Sequence, residues 1–185
     1  MVEQHDTRSD EDLMAAYVDG DAAAFRTLFN RHAPVLYRLA RRRLSSDADA
    51  RDVVQQTLLQ VHRARNDFRH GSKLRPWLFT IAMNLVREHY RKHTRRREQS
   101  LDSAPAAAEP YVEPEDAENA RERSLRVRAA LASLPDAQRE VIELHWFENS
   151  PYEEIAMIVG ASVAAVRVRA HRGYERLREI LPELE

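Results

Sequence analysis

The 185-residue chain has no cysteine, which excludes disulfides, thiolate metal centres and cysteine nucleophiles and fits a reducing compartment. It has only four glycines, and none forms a phosphate-cradling loop or a nucleophile elbow. Catalytic pairs of carboxylates are also missing. No apolar run approaches the length of a membrane span, and the opening MVEQHDTRSDEDLM is too acidic and polar for a secretory signal. Formal net charge is only -1, so the chain is not a polycation that coats nucleic acid indiscriminately. Period-two alternation of β-branched residues is scarce. These absences lead to an expectation of an all-α, cytoplasmic, non-enzymatic protein with no membrane insertion, cofactor or bound metal.

The near-neutral balance hides a segregation of charge. Arg87, Arg91, Lys92, Arg95, Arg96 and Arg97 stand against one acid, Glu88, in residues 87–97. Residues 98–118 then carry Glu98, Asp102, Glu109, Glu113, Glu115, Asp116 and Glu118 with no lysine or arginine. Within that stretch, LDSAPAAAEPYVEPEDAEN (101–119) has three prolines and no helical stripe, so it reads as an extended linker. The expected organisation is a flexible N-terminal tail (1–8), a helical domain (9–97), an acidic Pro/Ala linker (98–119) and a smaller helical domain (120–185).

In the first domain Asp10 begins a short helix with Leu13, Met14 and Tyr17 on one side, stopping at Gly20. Asp21 caps a second helix to about Leu44 with Phe25, Leu28, Phe29, Leu36, Leu39 and Ala40 as its apolar positions and Pro34 as a possible kink. Asp47 caps a third, with Val53, Val54, Leu58 and Val61 inward. A polar loop, Asn66 to Lys73, leads to a fourth helix from about Leu74 past Tyr90. In the second domain Leu125, Val127, Ala130, Leu131 and Leu134 give a helix ending at Pro135, and another runs from Asp136 to about Phe147.

The segment SPYEEIAMIVGASVAAVRVRAHRGYERLR (150–178) has the pattern of a helix-turn-helix. Ser150, Pro151 and Glu153 suit a capping box opening the first helix. Ile155, Ala156 and Val159 supply its apolar face, Gly160 permits the turn, and Ser162 caps the next helix. In that second helix Val163, Val166, Ala170, Tyr174 and Leu177 form the inward face. Arg169, Arg172 and Arg176 point largely away, Arg167 and His171 flank one side, and Val168 and Ala165 sit opposite the core, where small apolar groups suit thymine methyls. Some arginines have a blander role open to them. Arg176 and Arg178 are spaced to pair with Glu175 and Glu179.

A second candidate surface lies on the fourth helix. Leu74, Leu78, Ile81 and Leu85 make a core stripe, and Thr80, Asn84, Arg87 and Arg91 make another about 120° away at ~100° per residue. Trp77 falls between them. Arginines suit phosphates, an asparagine suits a base edge, and an aromatic suits an unstacked base. The same stripe also reads as a solvated face beside a core tryptophan, and Phe68 as a core plug at the base of the loop.

Taken together, DAAAFRTLFNRH (21–32), DARDVVQQTLLQVHRAR (49–65), RPWLFTIAMNLVREHYRK (75–92) and LASLPDAQREVIEL with the helix-turn-helix (131–178) resemble the extracytoplasmic-function sigma factors, two-domain initiation subunits of bacterial RNA polymerase. The resemblance implies a region 2 helical bundle and a region 4 helix-turn-helix. Asp52, Gln55 and Gln56 match a surface that docks on the clamp helices of the largest polymerase subunit, with Val53 and Val54 kept in the core. The family usually has an acid at Gln56 and aromatics at Leu58 and His62, so the docking surface here is less acidic and its apolar part repacked. Phe68 to Lys73 matches the loop that captures a base flipped from the -10 element. Asn84 matches a family position near the melted non-template strand; Trp77, from the helix-face reading, and Arg87, Arg91 and Lys92, expected on phosphates, complete the candidate -10 surface. Ser162, Arg167, Val168, Arg169, His171 and Arg172 fall on the helix that reads the -35 element, where the family often has serine or threonine at Ala165 and Val168. The resemblance also implies an anti-sigma factor as partner and a linker lying in polymerase channels, although its composition equally suits a solvated tether.

Three other readings fit part of the sequence. A free-standing helix-turn-helix regulator explains residues 150–178 and leaves the first domain without a ligand-sensing module. His89 and His93 have the i, i+4 spacing of metal ligands, but cations crowd them and no zincin glutamate lies between. RNA binding through the basic helix accounts for phosphate contacts alone.

Overall fold

Ser9 starts the fold by accepting a hydrogen bond from the Asp12 N–H at 3.1 Å, which caps helix α1 (Asp10–Val18). The structure is a computed structural model and describes residues 6–44, 46–69, 71–99 and 117–182, with side chains for all of these except 93–99 and 117–121. Residues 1–5 of the expected tail and 100–116 of the expected linker lie outside the described residues, as does the His93 side chain. The chain divides into two compact units, Met1–Ala108 and Glu109–Glu185.

Unit 1 holds α1, α2 (Ala22–Arg43), α3 (Asp47–Arg63), a 3-10 turn (Arg65–Asp67) and α4 (Leu74–Gln99). Asp21 caps α2 by accepting from the Ala23 and Ala24 N–H groups, and these bonds pull its carboxyl below the usual carboxylate range. The helix passes through Pro34, which is exposed. The cap of α3 is Ser46, which accepts from Asp49 N–H, one residue before the expected Asp47. Asp47 instead accepts from the Tyr37 hydroxyl and from Arg51 Nε at 2.7 Å. Its carboxyl is stabilised as an anion chiefly by the tyrosine.

The core of unit 1 runs through Leu13, Met14, Leu36, Leu39, Val53, Val54, Leu58 and Val61, each fully buried aliphatic of this size contributing about 1.5–3 kcal/mol. Two sequence expectations fail here. Phe29 is 44 % exposed, so it is surface rather than core. Among the described side chains of α4 the buried ones are Leu74, Pro76, Leu78, Phe79, Ala82, Met83 and Val86, while Ile81 and Leu85 are only half-buried. The reason is that α4 packs against α1, α2 and α3 at once, so its apolar face is wider than a single stripe. The Arg75 guanidinium lies 4.8 Å from the centre of the Phe79 ring and covers it.

Unit 2 holds α5 (Ala117–Ser133), α6 (Asp136–Trp146), α7 (Tyr152–Val159) and α8 (Val163–Ile180), with α8 touching all three others. Helix α5 begins at Ala117, within the stretch expected to be extended. Leu125 is exposed, whereas Leu131 and Leu134 pack with Ile142 and with the half-buried Val127, Tyr174 and Leu177. Gly173 lets α8 approach α6: a Cβ at this position would stand 2.5 Å from Ile142 Cδ1.

Candidate nucleic-acid interface

The α7–α8 pair forms as a helix-turn-helix, with one change at its entrance. Pro151 occupies the cap position and no side chain caps α7. Ser150 is fully buried and donates through Oγ to Glu154 Oε1 at 3.1 Å, so the expected Ser150–Glu153 box does not form. Glu153 is left on the surface, 3.5 Å from Arg167 of α8. At the turn Gly160 has φ +64°, and the Ala161 N–H reaches the Ala156 carbonyl at 3.0 Å, the six-to-one closure of a Schellman turn. Ser162 Oγ accepts from Ala165 N–H at 3.2 Å and starts α8. Val166 is completely buried between the two helices, Ala170 nearly so, and Ile158, which the apolar pattern missed, joins them.

The outer face of α8 presents Arg167, Val168, His171 and Arg172, all exposed, with Arg169 half-buried beside them. Val168 is 49 % exposed. His171 lies 3.4 Å from Glu175. Among the described residues no ion pair joins Arg176 or Arg178 to Glu175 or Glu179; Glu175 takes the histidine instead. The result is a cationic face with a small apolar centre, on a helix whose N-terminal N–H groups suit a phosphate.

In unit 1 the α3 face carries Asp52 and Gln55 exposed and Gln56 half-buried, while Val53 and Val54 turn into the core. Leu59 continues that outer face one turn further along and is 37 % exposed. A polar rim around an apolar contact suits a protein partner better than a phosphate.

The loop after α3 brings Phe68 against Trp77, ring centroids 5.2 Å apart and tilted by 50°. Both rings are half-buried, so each packs on the other while one side of the pair stays open to solvent. The loop's far end is held by a contact with no local sequence signal: Glu11 of α1 accepts from the Leu74 N–H at 3.0 Å and so caps α4 across the fold. Lys73 is exposed beside it. Farther along α4, Arg87 Nη1 donates to Asn84 Oδ1 at 2.8 Å, and Arg91 Nε approaches the Arg87 carbonyl at 3.4 Å. Lys92 pairs with Glu88 at 2.7 Å, and the ammonium holds that carboxyl below its ordinary value. Such an exposed pair opens easily, so Lys92 remains available to a phosphate. Trp77, Thr80, Asn84, Arg87 and Arg91 thus share one side of α4 next to the aromatic pair. Among the described residues no group of three or more histidine, cysteine or acidic side chains has a metal-binding arrangement, and no helix is long and apolar enough to cross a membrane.

Comparison with known proteins gives both units counterparts. Residues 28–96 match Sigma-70 region 2 and residues 124–177 match Sigma-70, region 4. The chain is 38 % identical over 172 residues to the RNA polymerase sigma factor CarQ of Myxococcus xanthus, covering 93 % of this chain and 97 % of that one. It is 30 % identical to the ECF RNA polymerase sigma factor SigM of Mycobacterium tuberculosis (strain ATCC 25618 / H37Rv), covering 94 % and 85 %. Among solved structures it resembles CnrH in complex with the cytosolic domain of CnrY (TM-score 0.73, 30 % identity, 95 % of this chain and 99 % of that one). It also resembles the sigma factor RpoE in complex with the anti-sigma factor NepR from Bartonella quintana (TM-score 0.70, 28 % identity, 87 % and 98 %).

Proposed function

Because the chain belongs to the extracytoplasmic-function RNA polymerase sigma factors, we propose how the surfaces just described divide its work. The protein is a transcription initiation factor and not an enzyme; its partners are core RNA polymerase and promoter DNA. The observation that carries the division of labour is the presence of two different surfaces on unit 1 and a third on unit 2.

The α3 face, with Asp52, Gln55 and Gln56, docks on the clamp helices of the largest polymerase subunit. The aromatic loop and α4, with Phe68, Lys73, Trp77, Asn84, Arg87, Arg91 and Lys92, open and read the -10 element. Extruding a base from the duplex costs a few kcal/mol, which stacking and phosphate neutralisation offset without nucleotide hydrolysis. The α8 face, with Ser162, Arg167, Val168, Arg169, His171 and Arg172, reads the -35 element in the major groove. The domains would run 9–97 and 120–185, joined by the acidic stretch 98–119 and preceded by a tail, 1–8. The protein works in the cytoplasm, where its polymerase and template are. Since one solved relative is described in a complex with an anti-sigma factor, we assign this chain a partner of the same kind that covers the docking and DNA faces.

Run-off transcription with core enzyme and a promoter library tests the proposal. Specific transcripts are expected only when chain and core are combined. The Asp52→Arg variant is expected to lose transcription by losing core affinity, with an unchanged melting temperature. Promoter-specific binding by the chain alone, independent of core, would instead favour a free-standing regulator.

A further inference from the structure

Helix α1 makes contact on both sides of the loop that Phe68 begins. Before the loop, the Tyr17 hydroxyl is hydrogen-bonded with His62 Nδ1 in the last turn of α3. The His62 carbonyl accepts from Arg65 Nη1 at 2.7 Å, and the Arg65 carbonyl accepts from the Phe68 N–H at 3.3 Å. Contacts through His62 and Arg65 thus lead from Tyr17 to Phe68. After the loop, Glu11 Oε1 accepts from the Leu74 N–H at 3.0 Å. The residue before α4 is Lys73, whose side chain has donors and no acceptor, so it cannot cap the helix. Pro76 brings no N–H, and of the N–H groups that the first turn does offer, the carboxyl from α1 takes the first. Trp77 follows one turn later, and its ring meets that of Phe68 with centroids 5.2 Å apart. Glu11 and Tyr17 stand about 9 Å apart along the α1 axis. The helix is itself anchored: Leu13 and Met14 are completely buried, and Asp10 is bound by His32 Nε2 at 2.7 Å and Arg31 Nη1 at 2.8 Å.

We propose that α1 sets the Phe68–Trp77 pair in place for the melted strand, with Glu11 as the positioning residue. Phe68 and Trp77 lie on opposite sides of the loop, so their separation is decided by where the chain leaves α3 and where α4 begins. One helix holds both points. Without Glu11 the start of α4 frays and Trp77 loses its register against Phe68. The surface that stacks an extruded base must then be ordered during promoter opening, at an entropic cost that the held pair avoids. This inference rests on the reading of Phe68 and Trp77 as part of the surface that meets the -10 element.

The test uses the whole chain, free and in the reconstituted holoenzyme. The chain has two tryptophans, so in a Trp146→Phe background the emission of Trp77 reports the aromatic pair. Glu11→Ala is expected to shift that emission to the red and to increase its quenching by acrylamide. Glu11→Gln, which keeps an oxygen for the Leu74 N–H, is expected to restore the parent signal. In the holoenzyme Glu11→Ala is expected to slow open-complex formation about 2- to 30-fold, the range of a lost helix cap, with core affinity and closed-complex binding unchanged. Glu11→Gln is expected to recover most of the rate. Tyr37→Phe removes the hydrogen bond to Asp47 at the other end of α3, controls for lost stability, and is expected to open promoters at the parent rate. Equal slowing in Tyr37→Phe, or an unchanged opening rate in Glu11→Ala, would overturn the inference. If Phe68→Ala opens promoters as the parent does, the reading of the aromatic pair itself fails and the inference goes with it.

Discussion

Arg172 stands on the exposed face of α8 beside Val168, where replacement by alanine removes reach and charge without touching the buried Val166–Ala170 seam. The expected result is a loss of about 1–3 kcal/mol in promoter binding if the guanidinium grips a base edge. Measuring holoenzyme affinity against -35 variants separates the cases: base contact makes the loss depend on sequence, and backbone contact makes it uniform. Asp10 carries a pH dependence of the fold. Its carboxylate is bound by His32 Nε2 at 2.7 Å and Arg31 at 2.8 Å, and these partners, His32 first, lower its pKa to about 2. The folded value lies below the unfolded one, so the stabilisation is complete above about pH 4 and disappears as pH falls toward 2. Asp10→Asn is expected to lower stability at neutral pH by about 1 kcal/mol after solvent screening. The variant should also lose less than the parent on acidification, as followed by denaturant melts across that range.

Several helix ends controlled by residues a few positions away were legible in the sequence. Asp21, Ser162 and Gly160 act where the local pattern places them, because a cap or turn needs only nearby N–H and carbonyl groups; on α3 the cap fell one residue earlier than expected, on Ser46. Ser150 misled because burial made a different bond available: its hydroxyl turns to Glu154 within the core, while Pro151 opens the helix. The Glu11 contact that caps α4 joins residues 63 apart and leaves no periodic trace. Which residues α8 and α3 expose could be read because one helix face was enough to place them. The stripe on α4 was displaced because three neighbours share that helix. Gly173 was overlooked for a related reason: its role depends on Ile142 in another helix. Gly173→Val is expected to cost about 1–3 kcal/mol through overpacking of the α6–α8 contact. Gly173→Ala should cost less, since helix propensity returns roughly 1 kcal/mol. Thermal melts of both variants check the order.

At the scale of the whole chain, the sequence already implied two helical units with a charge boundary between them, and the matches to region 2 and region 4 fall on those units. A near-neutral total charge joined to locally cationic faces fits a protein that binds DNA weakly alone and firmly once polymerase supplies further contacts. Permanganate footprinting of a responsive promoter measures that dependence directly, because it marks unpaired thymines. Reactive thymines are expected across the -10 element only when core enzyme and this chain are both present, without ATP, and to vanish with Asp52→Arg. Thymines that react with core alone, or none that react when the holoenzyme is bound, would contradict the account.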